Sequence, residues 1–137
     1  MPRELPMSDA RKPMTPSRTR FVKGNEVAPE SAKALEGSDG QSEGYALSFK
    51  PLMVGEHTSI IEVHRGKGLV DPVHAHGDHE SLCYLVSGRM RVIIEDESFI
   101  AEPGDSWIHP PGVVHYHETL EDSVQLEVKS PAIKAWS

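Results

Sequence analysis

His74 and His76 are separated by one residue. On an extended backbone, side chains alternate faces, so both imidazoles project to the same side and can reach one cation. A third histidine, His115, lies about forty residues on, after the turn-forming run Pro110-Pro111-Gly112-Val113-Val114. Neutral imidazole suits Mn, Fe, Ni, Cu and Zn. Three such ligands leave a divalent ion with its charge near +2. That charge favours an anionic ligand, such as a carboxylate or enolate, and lowers the pKa of bound water.

A chain with eight histidines supplies one such pair by chance often enough that the residues around it must carry the inference. Gly68 stands six positions before His74, and Gly88 follows the apolar stretch Leu82-Cys83-Tyr84-Leu85-Val86. Then Gly104, Pro110, Gly112 and His115 recur in the order G-x5-P-x-G-x2-H. The two runs together resemble the paired motifs of the cupin superfamily, G-x5-H-x-H-x3,4-E-x6-G and G-x5-P-x-G-x2-H-x3-N. The resemblance covers about residues 59–130. It implies an antiparallel double-stranded jelly-roll β-barrel that holds one divalent transition metal (Mn, Fe, Ni or Zn) through His74, His76 and His115.

Two positions depart from the pattern. Thr119 stands where the second motif ends in Asn. Counting back from Gly88 puts Ser81 in the carboxylate slot, whereas Glu80 fits the distance from His76. Regular alternation places Ser81 with Cys83 and Leu85, and Glu80 with Leu82 and Tyr84 on the opposite face. A β-bulge near Asp78 would re-aim Glu80 inward. The expectation is Glu80 as a fourth ligand; the alternative is Ser81 in that slot, hydrogen-bonding a metal-bound water in a site of three histidines.

Other residues can serve such a centre. His117 shares the parity of His115 and is the candidate proton carrier. His79 is placed at the entrance, and His109, before the second turn, is structural or exposed. Cys83 is a small buried group on the inward face. Tyr84 and Trp107 read as core, and Arg89 and Arg91 as solvated unless one faces inward to clamp a carboxylate.

The elements that must carry these residues are short. The sequence predicts strands over Phe21–Val27, Tyr45–Val54 and Thr58–Arg65, with one or two helical turns over 29–36 stopped by Gly37. Ser81–Ser87 and Met90–Glu95 flank Gly88-Arg89 and read as a hairpin. Short strands follow at Phe99–Glu102, Ser106–His109 and Val113–Thr119, punctuated by Pro-Gly turns. Ser123–Lys129 alternates Val124, Leu126 and Val128 against Gln125 and Glu127, as a half-buried strand does. Many short strands with frequent Gly and Pro predict an all-β barrel or sandwich.

One domain is expected over 21–137, with 21–58 leading into a barrel core at 59–137. Residues 1–20 carry four prolines and a charge of +3 and are expected to be a flexible tail. The formal net charge of −7 argues against a nucleic-acid partner. The chain has one cysteine, no apolar run of membrane-span length and no secretory leader, so a cytoplasmic protein off the membrane is expected. Strand edges and the thinly covered 45–54 segment lead to an expected homodimer.

The segment after the second motif is similar to small single-domain cupins, among them pectin-degradation proteins that open the ring of unsaturated sugar acids. In those a Gln commonly takes the slot held here by Ser81. The resemblance implies a metal acting as Lewis acid on a small anionic molecule. Two other readings are a three-histidine dioxygenase and a non-catalytic small-molecule-binding module.

Overall fold

The computed structural model describes residues 7–8, 12–31 and 46–136. Its strands are β1 (Met7–Ser8), β2 (Glu30–Ser31), β3 (Leu47–Val54), β4 (Ser59–Arg65), β5 (Ala75–His76), β6 (Glu80–Ile94), β7 (Glu97–Ala101), β8 (Ser106–His109) and β9 (His115–Ser130). Seven of them form one hydrogen-bonded sheet in the order β2-β3-β4-β9-β6-β7, with β8 also paired to β6. Adjacent strands in this sheet run antiparallel. The sheet rolls up into the two facing layers of a jelly roll. Among the described residues the only helix is a single 3-10 turn at Gly24–Glu26, and no helix is long and apolar enough to cross a membrane.

β6 and β9 are the frame. They pair along nearly their whole length, from Glu80 opposite Ser130 to Ile94 opposite His115. The hairpin expected at Gly88-Arg89 is therefore not a turn. The chain continues through it, and the register against β9 slips between Leu85 and Met90. Gly88 sits at φ +92°, and a Cβ there would lie 2.2 Å from Ser123 Oγ and 2.4 Å from the Asp122 carbonyl oxygen. A left-handed glycine against a close backbone makes a bulge and a bend, not a chain reversal. The two sides of the bend have different neighbours: β8 flanks Ser81–Tyr84, and β7 flanks Met90–Ile94.

Two apolar clusters form the core. One gathers Leu47, Phe49, Ile61, Val63, Leu69 and Trp136, with Phe49 and Trp136 stacked at 4.6 Å. The other gathers Cys83, Leu85, Met90, Val92, Ala101 and Trp107. β9 departs from expectation. Its buried residues are His115, His117, Thr119, Ser123, Gln125, Glu127 and Lys129, while Val124, Leu126 and Val128 are only partly covered. The alternation is as expected, but the polar face points inward. Outside, an apolar row crosses four strands. Ile60 and Leu82 each lie opposite Val128, and Leu82 lies opposite Ile108.

The N-terminal segment differs in part. No strand forms over 21–27; Phe21 is exposed and the 3-10 turn buries none of its residues, so there is no apolar face to hold one. Glu30–Ser31 pairs with β3 as a strand, and the rest of the expected helical stretch, 32–36, lies outside the described residues. Within the expected tail, the Met14 and Ser17 amides donate to the carbonyls of Ala132 and Val54 at 3.0 and 2.8 Å. Residues 12–17 are thereby pinned to the body.

Candidate metal centre

The segment 68–76 lies antiparallel beside the start of β9. The His74 and His115 amides each donate to the other's carbonyl, at 3.2 and 2.9 Å, and Asp71 N–H donates to the His117 carbonyl at 3.0 Å. Pro72 fixes the extended approach. The Gly112 amide donates to the His76 carbonyl at 2.7 Å, so the second Pro-Gly turn is tied to the first histidine pair. The two motifs are forty residues apart in sequence and hydrogen-bonded in space.

His74, His76 and His115 converge. Their ligand nitrogens lie within 4.8 Å of one another, and all three side chains are buried. Nδ1–H of His74 donates to the Pro72 carbonyl at 2.6 Å, and Nδ1–H of His115 to the Val113 carbonyl at 3.0 Å. These bonds commit one ring nitrogen and leave Nε2 as the lone-pair donor. His76 Nδ1 is buried with no hydrogen-bond partner among the described residues. Burial, with neighbouring His74 and His117, pushes the His115 imidazolium down to about 3. Burial likewise lowers His74 and His76. All three are neutral at physiological pH, the form that coordinates a metal. The donor set fits one divalent transition ion, which His74, His76 and His115 would hold.

Glu80 is not brought to this cluster. No bulge interrupts the start of β6: Glu80 is exposed, opposite Ser130, and Ser81 is buried on the inner face. The expectation that Glu80 turns inward is corrected by the unbroken alternation of the strand. Ser81 Oγ instead accepts a hydrogen bond from Lys129 Nζ at 2.9 Å. Where the motif has a carboxylate, this chain brings a hydroxyl and an ammonium.

Lys129 belongs to a buried polar chain that sequence reasoning did not single out. Its ammonium also contacts Glu127 Oε2 at 2.9 Å and His79 Nε2 at 3.2 Å. Gln125 Nε2 donates to Glu127 Oε1 at 2.8 Å, and Arg65 Nε donates to Gln125 Oε1 at 3.1 Å. Arg65 Nη1 meets Asp71 Oδ1 at 2.7 Å, and His117 Nδ1 meets Asp71 Oδ2 at 2.8 Å. Burial pushes the Glu127 carboxyl up, but Lys129 and then Arg65 outweigh it and hold the group at about 2. The same balance, with Arg65 and His117 opposing burial, keeps Asp71 far below the usual carboxylate range. Arg65 and Lys129 offset Asp71 and Glu127, so these four side chains together carry no net formal charge. The signal for this chain was the alternation of β9, which puts Gln125, Glu127 and Lys129 on the face of His115.

The remaining candidates fall as follows. His117 is buried on the cavity wall. His79 is buried, not at an open entrance; its Nδ1 meets Asp78 at 2.8 Å and its ring lies 4.7 Å from that of His76. His109 is buried and stacks on His115, ring centroids 3.9 Å apart and planes within 10°. Its Nε2 accepts from Trp107 Nε1 at 3.2 Å, which fixes the ring. Cys83 is buried, and Gln125 Nε2 lies 3.3 Å from its sulfur; burial raises its thiol well above the ordinary range. Trp107 is core, whereas Tyr84 is exposed. Arg89 and Arg91 face solvent, Arg91 beside Glu118 at 3.3 Å.

Residues 60–129 match the family described as Cupin domain. The pectin degradation protein KdgF of Dickeya dadantii (strain 3937) is 28% identical over 89 residues, which are 64% of this chain and 81% of that protein. The structure of KdgF from Halomonas sp. superposes with a TM-score of 0.66 at 24% identity, over 81% of this chain and 94% of the other. An RmlC-like cupin from Shewanella frigidimarina NCIMB 400 gives a TM-score of 0.69 at 24% identity, over 83% and 92%. At these identities the two structures speak to the fold alone. The family match spans half of the sequence and contains all three converging histidines, and on that ground the chain belongs to the cupin family.

Proposed function

We propose that this cupin binds one divalent transition metal through His74, His76 and His115 and acts on a small anionic molecule, a sugar acid or related carboxylate. The observation that carries this reading is the convergence of three neutral, buried imidazoles, two of them with the second nitrogen tied to backbone. The similarity to a pectin degradation protein supports a sugar-derived acid as the ligand class. When bound, the metal supplies Lewis acidity toward an anionic oxygen of the substrate. The protein's own residues do the rest. Among the described residues the cluster holds three histidines, which leaves coordination positions open to a ligand. Phe49 and Ala135, which also line the cavity, exclude water on one side. His117, with Nε2 buried and unpartnered among the described residues, is the proton acceptor or donor.

The test is His76→Ala, measured by elemental analysis and by turnover of an unsaturated uronic acid. We expect loss of most bound metal and of turnover. Full metal stoichiometry in that variant would sink the assignment. A second reading, a metal-dependent dioxygenase, is favoured by one observation: Glu80 stays outside, and among the described residues the ligand cluster is three histidines without a carboxylate. Oxygen consumption by the iron-loaded protein separates the two.

A further inference from the structure

His117 carries an unusual pair of facts. Its Nδ1 lies 2.8 Å from Asp71 Oδ2, while its Nε2 is fully buried and meets no partner among the described residues. Its ring borders the cavity also lined by His74, His76 and His115. A buried polar atom without a partner keeps its desolvation penalty unless something enters to satisfy it. Asp71 is in turn clamped. Arg65 Nη1 holds its other oxygen at 2.7 Å, and both side chains are buried. Arg65 is itself fixed by Gln125, at 3.1 Å. None of these groups has slack to turn.

We propose that Asp71, clamped by Arg65, is a positioning residue that fixes His117 as the Nδ1–H tautomer. Nε2 is then the unprotonated nitrogen of a ring that lines the metal-site cavity, and so the one able to take a proton from a ligand bound there.

The carboxylate can only accept, so Nδ1 must donate to it, and in neutral imidazole Nε2 is then the acceptor. Any O–H or N–H donor satisfies that lone pair, and a ligand's O–H or acidic C–H can also yield its proton to it. A small molecule with an anionic oxygen for the three histidines and such a hydrogen beside it fits both features: an α-hydroxy acid, a hydroxy-aldehyde form of a sugar acid, or an enolisable keto acid. On proton transfer, Nε2 gains the hydrogen. The electron pair of the broken bond stays on the ligand. The imidazolium charge is met by Asp71 through the bond that already exists. This inference rests on the proton-transfer role of His117 proposed above, and its test separates the two.

The measurement is the tautomer of His117 by ¹⁵N nuclear magnetic resonance on histidine-labelled, zinc-loaded protein, zinc being free of unpaired electrons. Wild type should show Nδ1 protonated and Nε2 bare. In Asp71→Asn, Arg65 holds the amide oxygen, so the NH2 group faces His117 Nδ1 and the ring should switch to Nε2–H. Turnover of an unsaturated uronic acid should then fall by about 10²–10⁴ in kcat with KM within threefold, and Asp71→Glu should restore the tautomer in part. An Nε2–H tautomer in wild type overturns the positioning role whether or not the variant folds. So does an Asp71→Asn protein whose His117 remains Nδ1–H. Unchanged kcat in His117→Gln overturns the proton-transfer role beneath it and leaves the tautomer result standing on its own.

Discussion

Lys129→Met tests the buried polar chain most directly. The substitution keeps the length of the stem and removes the ammonium that bonds Glu127, Ser81 and His79. Glu127 is left as a buried carboxylate with Gln125 as its remaining partner. Breaking one side of a buried pair costs about 3–5 kcal/mol. The titration of Glu127 gives a second route. Its folded pKa of about 2 lies below the ordinary 4.5, a difference of about 3 kcal/mol at neutral pH. The sign follows from the depression: that stability is fully present above pH 4.5 and is lost as pH falls through about 2. Without Lys129, Arg65 and His117 alone oppose burial, so the Glu127 carboxyl rises and the variant keeps less of this stability at neutral pH. The assay is urea unfolding of metal-free protein from pH 3 to pH 8, because bound metal would add its own linkage. We expect a deficit of about 3 kcal/mol at pH 7 that shrinks toward pH 3. A deficit below about 1 kcal/mol at pH 7, or one that does not change with pH, would refute the reasoning.

Three more outcomes follow from the geometry. Glu80→Gln should leave metal affinity within about twofold, measured by competition with a chelator, because the side chain faces solvent; a tenfold loss, about 1.4 kcal/mol, would place Glu80 at the metal after all. Gly88→Ala should cost about 3 kcal/mol or more in thermal or urea unfolding, since a Cβ at φ +92° meets the Asp122 backbone at 2.4 Å. We also propose a homodimer that covers the outer apolar row. Light scattering should give twice the chain mass of 15.1 kDa, and Leu82→Asp, at a side chain 48% exposed, should shift the species to monomer; a wild-type monomer at every concentration would count against it.

The three converging histidines were legible because glycine and proline frame them at fixed distances, and those residues act through backbone geometry that sequence states directly. Strand alternation was legible too, at β4, β6 and β9. What sequence could not state was which face of β9 turns inward. Apolar Val124, Leu126 and Val128 compete for burial with Gln125, Glu127 and Lys129, and the polar set is inside because Glu127 and Lys129 pair with each other and Arg65 and Ser81, brought from other strands, bond Gln125 and Lys129. That pairing is long-range and invisible to local pattern. Gly88-Arg89 failed similarly: a glycine between two alternating runs looks like a reversal until β9 is seen to pair on both sides of it. The Glu80 expectation required a bulge near Asp78, and the register shifts of β6 against β9 all lie between Leu85 and Met90.

His115 and Lys129 sit on one strand, fourteen residues apart. On a straight strand they would be about 46 Å from each other, yet both line one cavity. The β6–β9 ribbon must therefore be creased like a folded sheet, with the crease at Gly88 and the facing residues Glu121–Ser123. One leaf carries the histidine ligand and the other carries Glu127 and Lys129. The angle at the crease sets the gap between the leaves, so the size of guest the interior admits is adjusted at a hinge line remote from every group that touches the guest.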